Sequence, residues 1–104
     1  MTEFLLDEVE ITPEGIVLHG IVNEGVVLVG TVFVAVRREI ALGAERSLPE
    51  PVNIPVCRIV AYRHVLDELP CGMSGGLFVD AANVNFGRGD MLIAPDRIPG
   101  AGQA

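Results

Sequence analysis

The sequence predicts an all-β domain that forms a small, closed or nearly closed barrel. Valine-rich apolar runs of strand length recur along the chain, and clusters containing glycine or proline separate them roughly every ten residues. No segment combines the length and the apolar period of a long helix. Many short strands joined by regularly spaced turns are typical of small β-barrels.

Seven segments have the composition of β-strands, namely residues 4–11, 16–22, 26–29, 31–40, 56–62, 77–79 and Met91–Ala94. Residues 12–15 and 23–25 contain the glycine, proline and asparagine that turns require. Residues 41–55 hold one glycine and three prolines and predict a polar loop. Residues 65–69 predict a short apolar connection that ends before a proline.

The chain of 104 residues has the length of one domain, and its content of 50% hydrophobic residues is sufficient for a core. We place that domain at residues 1–95 and expect residues 96–104 to form a flexible tail. The first residues, MTEFLLDE, lack the basic segment of a secretory signal. No apolar run approaches the roughly 20 residues of a membrane helix. We therefore expect a cytoplasmic protein without membrane contact.

The apolar pattern of the strands, together with the family resemblance described below, predicts which side chains face the interior of the barrel. The residues assigned to the interior are Val17, Val27, Val29, Phe33, Ala35, Ile59, Leu77 and Val79. On the same argument Val32 and Val34 project outward, and Val36 extends this apolar stripe. A contiguous exposed stripe favours self-association or a protein partner, and the alternative is that the loop of residues 37–55 folds over it.

The chain is acidic, with 14 Asp and Glu residues against 7 arginines, no lysine and a net charge of −7. An acidic surface repels phosphate at long range, and five aromatic residues are too few for an obvious stacking platform. RNA binding is therefore disfavoured. A local cationic patch is the exception that the sequence leaves open, and its candidates are Arg37, Arg38, Arg58 and Arg63.

The two cysteines, Cys57 and Cys71, are too far apart in the sequence for a Cys-x-x-Cys metal site, and no histidine stands at ligand spacing from either. We interpret them as buried free thiols in a reducing compartment. No cofactor, metal or small-molecule substrate is expected.

The stretch CGMSGGLFVD resembles the nucleophile segment of trypsin-like proteases, and His19, Asp67 and Ser74 follow in the matching order. Such enzymes place the triad in the cleft between two barrels, and this chain has length for one. We interpret Ser74 as a residue of a glycine-rich turn at residues 72–76. We expect no catalytic residues and no enzymatic activity.

Four stretches carry a different resemblance. GIVLHGIVNEGVVLVGTVFVAV holds four glycines, each five residues from the next, FGRGDMLIAP holds an Arg-Gly-x-x-Leu pattern, and EFLLDEVEI has the character of an opening strand. In AYRHVLDELPCGMSGGLFV the matching positions are Tyr62, Arg63, His64, Val65, Leu66, Asp67, Glu68, Cys71, Gly72 and Gly76. Together they make nearly the whole chain similar to the second domain of elongation factor Tu and related translational GTPases. The loop of residues 37–55 is longer than its counterpart in that family.

This resemblance implies a closed six-stranded Greek-key-type barrel of the translation-protein class, here as a stand-alone domain. The chain has no phosphate-binding Gly-x-x-x-x-Gly-Lys-Ser/Thr loop and so is not itself the GTPase. Arg63 matches a basic position of the family's pocket for the tRNA end, whereas Val60 stands in place of a glutamate and Ser74 in place of an asparagine.

Two functional hypotheses remain. One is a non-catalytic protein-interaction module, and the other is an RNA- or ribosome-associated accessory protein. The candidate partner-binding residues are Arg63, His64, Ser74, Val32 and Val34.

Overall fold

The computed structural model describes residues 1–41, 45–46, 48–81 and 84–95. Its eleven strands are β1 (Thr2–Thr12), β2 (Gly15–Glu24), β3 (Val26–Leu28), β4 (Val32–Arg37), β5 (Glu39–Ala41), β6 (Glu45–Arg46), β7 (Glu50–Ala61), β8 (His64–Leu66), β9 (Glu68–Pro70), β10 (Ser74–Val79) and β11 (Met91–Ala94). Within the described ranges no helix is long and apolar enough to cross a membrane.

Six antiparallel strands form a ring. Their order is β10-β2-β1-β11-β4-β7, and β10 pairs with β7 as well as with β2. β8 adds to the free side of β7, while β3–β9 and β5–β6 are separate two-stranded sheets. The all-β architecture and the ring of antiparallel strands predicted from the sequence are confirmed.

The regularly spaced glycines have two structural roles in this ring. Gly15, Gly25 and Gly30 adopt φ values of 130°, 75° and 96°, which side-chain-bearing residues rarely adopt. Gly20 lies inside β2, where an added Cβ would overlap the backbone carbonyl oxygen of Leu5 on β1. The spacing therefore reflects turn geometry at three positions and close strand approach at the fourth.

Apolar side chains from all six strands of the ring fill its interior. The largest fully buried ones are Phe4, Phe33, Leu6, Leu18, Ile59, Leu69, Leu77, Leu92, Val22, Val27 and Val36. The rings of Phe4 and Phe33 lie 6.2 Å apart at an interplanar angle of 39°. The interior positions predicted for Val27, Phe33, Ile59, Leu77 and Val79 are confirmed.

On the first half of the chain the interior assignment of Val29 is wrong, and Val17 is buried without joining the interior cluster. Val29 is 45% exposed, because it follows the end of β3 and no longer belongs to an alternating strand. Val17 is buried but lies outside the core cluster, to which its neighbours Ile16 and Leu18 belong. Adjacent residues of a strand point to opposite faces, so Val17 is buried on the outer face of the sheet.

The alternation along β4 also departs from the prediction. Phe33 is buried and Val34 exposed, as expected, but Ala35 is only half-buried and Val36 is completely buried. The pairing of β4 with β7 shifts register between Phe33 and Ala35, and such an irregularity reverses which face the following residues occupy. The exposed stripe on β4 is therefore limited to Val32 and Val34.

β7 begins at Glu50, inside the segment predicted as a polar loop, so that prediction is wrong. Pro51 and Pro55 lie in the part of β7 that pairs with β4, before the part that is in register with β10. A strand segment with one paired side tolerates proline, because its other side needs no N–H donor. β6 also falls in the predicted loop, whereas β5 only reaches its first residue, Ala41.

The remaining differences concern short segments. The predicted connection of residues 65–69 contains most of β8 and the start of β9. The predicted tail, residues 96–104, lies outside the described residues, as do residues 42–44 and 47 of the predicted loop.

Candidate binding groove

A groove of about 820 Å³ crosses the surface of the ring over β1, β2, β10 and β7. Its lining comprises residues 5–7, 19–21, 60–63, 74–76 and 88–89. We call this feature the groove. Its volume falls within the range of about 300–1,000 Å³ that is usual for ligand pockets.

Strand β10 contributes glycine to the lining of the groove. Gly76 on β10 pairs with His19 on β2 and with Val60 on β7, and Ser74 pairs with Ile21. A Cβ added at Gly76 would lie 3.1 Å from Cγ1 of Val17 and 3.3 Å from the His19 ring. The missing side chain lets these two side chains pack against Gly76, which is itself buried.

One rim of the groove is the two-residue turn between β7 and β8. Ala61 pairs with His64, and the intervening Tyr62 and Arg63 adopt φ values of 52° and 66°. Positive φ at both positions defines the hairpin turn for which asparagine and glycine are preferred, so Tyr62 and Arg63 hold it at a cost in backbone energy. Both side chains are exposed, and both line the groove.

The opposite rim carries Arg88, whose Nε lies 3.5 Å from Oδ1 of Asp7. Both side chains are largely exposed, so this ion pair is screened by solvent and weak. Within the described residues, the side chain of Arg63 makes no hydrogen bond or ion pair, and the same holds for the Ser74 hydroxyl. The groove thus combines one paired and one unpaired guanidinium.

The members of the predicted cationic patch were Arg37, Arg38, Arg58 and Arg63, and the structure gives two of them carboxylate partners. Arg38 pairs with Glu50 at 3.1 Å, and Arg58 pairs with Glu14 at 3.3 Å. Arg58 also lies over the ring of Phe78, 4.0 Å from its centroid. Two of the four guanidinium charges are therefore compensated within the protein.

The residues predicted to bind a partner fall into two places. Arg63 and Ser74 line the groove, together with Val60, while His64 is exposed at the start of β8 beside them. Val32 and Val34 lie apart on β4, with exposures of 37% and 45%. We call this pair the β4 stripe.

Sequence reasoning did not assign Tyr62, Arg88, His19 or Ile21 to a binding surface. Tyr-Arg is not a typical turn sequence, so no local sequence pattern indicated that Tyr62 would lie at the rim of the groove. Arg88 was noticed within a motif that precedes the last strand, and its spatial relation to Arg63 depends on ring closure. Only the strand pairings bring these residues together.

The protease-like residues do not form a triad. Ser74 is the first residue of β10, paired with Ile21, rather than part of a turn as predicted. His19 and Ser74 both line the groove, but Nε2 of His19 lies 2.8 Å from Oε1 of Glu10. Asp67 lies outside the groove, between β8 and β9.

We expect Ser74 to be unreactive toward a fluorophosphonate probe. Its hydroxyl has no hydrogen bond to a base among the described residues, so nothing there raises its nucleophilicity. Intact-mass spectrometry after incubation with the probe measures labelling, with a serine protease as the positive control. Stoichiometric labelling that Ser74→Ala abolishes would contradict the prediction.

Both cysteines are exposed free thiols, so the expectation that they are buried is wrong. Cys57 lies on β7 where the pairing with β10 shifts register, and Cys71 lies in the turn before β10. The shift leaves Cys57 without a partner residue on β10. In the part of the chain that the structure describes, no group of three or more His, Cys, Asp or Glu residues is arranged to hold a metal ion.

Comparison with protein-family models gives no match to this chain, and comparison with curated protein sequences gives none either.

Proposed function

We propose that this chain is a non-catalytic partner-binding module built on a translation-factor-type barrel, and that the groove is its binding site. The observation that carries this proposal is the meeting of Val60, Arg63 and Ser74 in one groove. The resemblance to the second domain of elongation factor Tu had already singled out these three positions as ligand positions. They come from β7, from the turn after it and from β10.

The same resemblance leads us to propose a Greek-key barrel of the translation-protein class. Supporting observations are the six-stranded antiparallel ring, closed by the pairing of β10 with β7, and the glycines that the ring requires. A common fold does not by itself fix a function, so the functional proposal rests on the groove.

A protein partner agrees best with the electrostatics of the chain. The net charge of −7 disfavours a polyanion, and at least three arginines are already paired with carboxylates. Ile21, Val60 and Ala61 give the groove an apolar character that suits side chains of a partner.

The second candidate is an RNA- or ribosome-associated accessory function. One observation favours it: Arg63 keeps the basic character of the family's nucleotide-binding position and stands beside an exposed aromatic ring, Tyr62. An aromatic face and a guanidinium are the groups on which unpaired bases stack. Val60 and Ser74 lack the carboxylate and the amide of the family at their positions.

We expect Ser74→Trp to abolish partner capture, because an indole at this exposed position fills the groove without disturbing the core. Val34→Trp is the matched control, since it places the same ring on the β4 stripe. The measurement is affinity capture from the native cell, with bound proteins quantified by mass spectrometry and bound RNA by sequencing. Circular dichroism establishes that both variants fold.

Each outcome separates the candidates. Proteins lost with Ser74→Trp and retained with Val34→Trp support the groove as a protein-binding site. The reverse pattern assigns binding to the β4 stripe and contradicts the proposal. RNA that is bound by the wild type and lost with Ser74→Trp supports the accessory function instead.

A further inference from the structure

Arg63 has no carboxylate partner among the described residues, although acidic residues outnumber basic ones by 14 to 7 in this chain. In contrast Arg38, Arg58 and Arg88 each lie within 3.5 Å of a carboxylate oxygen. In a protein with such an excess of acid, most guanidinium groups find an internal partner. One that does not is available for an external anion, and carboxylates suit its planar donor geometry.

The absence of a partner alone does not mark a site, since Arg37 at the end of β4 is exposed and also makes no ion pair in the described part of the chain. Arg63 differs from it in two ways. It lines a groove with a volume of about 820 Å³, and it belongs to a turn with unfavourable backbone angles. Arg37 has neither property and serves as the natural comparison.

The turn geometry limits the directions that Arg63 can take. With φ of 66° in a two-residue hairpin, its backbone is fixed by the pairing of Ala61 with His64 on either side. A tight hairpin of this kind permits little rearrangement of the backbone. The backbone of Arg63 is therefore anchored at the rim, and no backbone freedom is lost when its guanidinium binds an anion.

Next to Arg63 the groove offers an apolar surface. Val60 and Ile21 line it from β7 and β2, on either side of Gly76. An extended peptide lying along the groove would point its alternate side chains toward this surface. The lining suits a chain that has one acidic and one apolar side chain two residues apart.

We propose that the groove binds an extended peptide segment of a partner protein, with an acidic side chain of that segment on Arg63 and an apolar side chain against Ile21 and Val60. This inference rests on the proposed function of the groove. The charge of the chain favours this ligand over a nucleic acid, because a net charge of −7 repels a polyphosphate at long range while a single carboxylate feels that field weakly.

The test begins with a phage library of random heptapeptides, selected against the immobilised full chain. Selected sequences are synthesised with a fluorophore and paired with a peptide in which Asp or Glu is replaced by Asn or Gln. Fluorescence anisotropy gives the Kd for wild type, Arg63→Gln and Arg37→Gln. We expect enrichment of acidic residues two positions from an apolar one, and a Kd about tenfold or more weaker either for Arg63→Gln or for the amide peptide.

Two features of the result identify the contact. Combining Arg63→Gln with the amide peptide is expected to weaken binding little beyond either change alone, since both remove the same ion pair. Arg37→Gln is expected to change the Kd less than about twofold, because an exposed charge outside the site contributes little.

Other outcomes overturn the inference and differ in what they leave standing. Enriched peptides without acidic residues whose binding Ser74→Trp abolishes contradict the carboxylate contact and keep the groove as a binding site. Peptides that bind the Ser74→Trp variant and the wild type with equal affinity contradict both the carboxylate contact and the groove as a binding site. A selection without enrichment does the same. If a single-stranded RNA 12-mer binds more tightly than any peptide, and Arg63→Gln abolishes its binding, the groove is an RNA-binding site instead.

Discussion

Replacing Gly20 with alanine is expected to destabilise the fold by about 3 kcal/mol or more, which exceeds the usual cost of overpacking because the obstacle is backbone. The new Cβ would overlap the carbonyl oxygen of Leu5 on the neighbouring strand and would lie 2.9 Å from the Phe4 ring. The Leu5 carbonyl cannot move away without disrupting the pairing of β1 with β2. Urea denaturation followed by circular dichroism measures the effect as a lower midpoint.

Gly87→Ala is the control for this prediction. A Cβ added there meets no atom within 4 Å, so the free energy of unfolding is expected to stay within about 0.5 kcal/mol of the wild type. If Gly20→Ala unfolds at the same urea concentration as Gly87→Ala, the close approach of β1 and β2 described above is incorrect.

Phe33→Ala is expected to cost about 3–5 kcal/mol, because it removes a large side chain from the interior and leaves a cavity. Phe33 is completely buried, and its ring packs beside that of Phe4. The loss should appear in the same urea experiment with an unchanged slope of the transition.

Phe78→Ala is the comparison for Phe33→Ala, because it makes the same substitution at a different position. Phe78 is half-buried, and its ring lies under the guanidinium of Arg58. Its removal is expected to cost well under half as much as the loss of Phe33. Equal costs for the two phenylalanines would argue against the interior cluster as the main source of stability.

The ring of strands could be predicted from the sequence because two signals agree. Apolar runs fix the number of strands approximately, and glycines such as Gly20 and Gly25 mark where the chain turns or packs closely. The face of each strand was harder to predict. Side chains alternate between the two faces of a strand until a register shift occurs. Nothing in the sequence around Ala35 indicates such a shift.

The start of β7 could not be predicted from the sequence for a related reason. Pro51 and Pro55 indicate a loop by composition, yet a strand that is paired on one side accommodates them. Whether a strand has one neighbour or two depends on the whole topology, which no local pattern contains.

The candidate site was only partly accessible from the sequence. Arg63 and Ser74 were found through a family resemblance, whereas Tyr62 and Arg88 became groove residues only when the ring brought their segments together. The unpaired state of Arg63 could not be predicted either, because charge pairing across strands depends on register.

The position of β11 has a consequence for how the chain folds. Thr2 of β1 pairs with Ala94 of β11, and β11 lies between β1 and β4 in the ring. During synthesis, β1 and β4 can therefore pair with their common neighbour only after β11 has left the ribosome. Contacts between such distant parts of a chain slow folding, and during that delay the unpaired borders of both strands are open to association with other nascent chains.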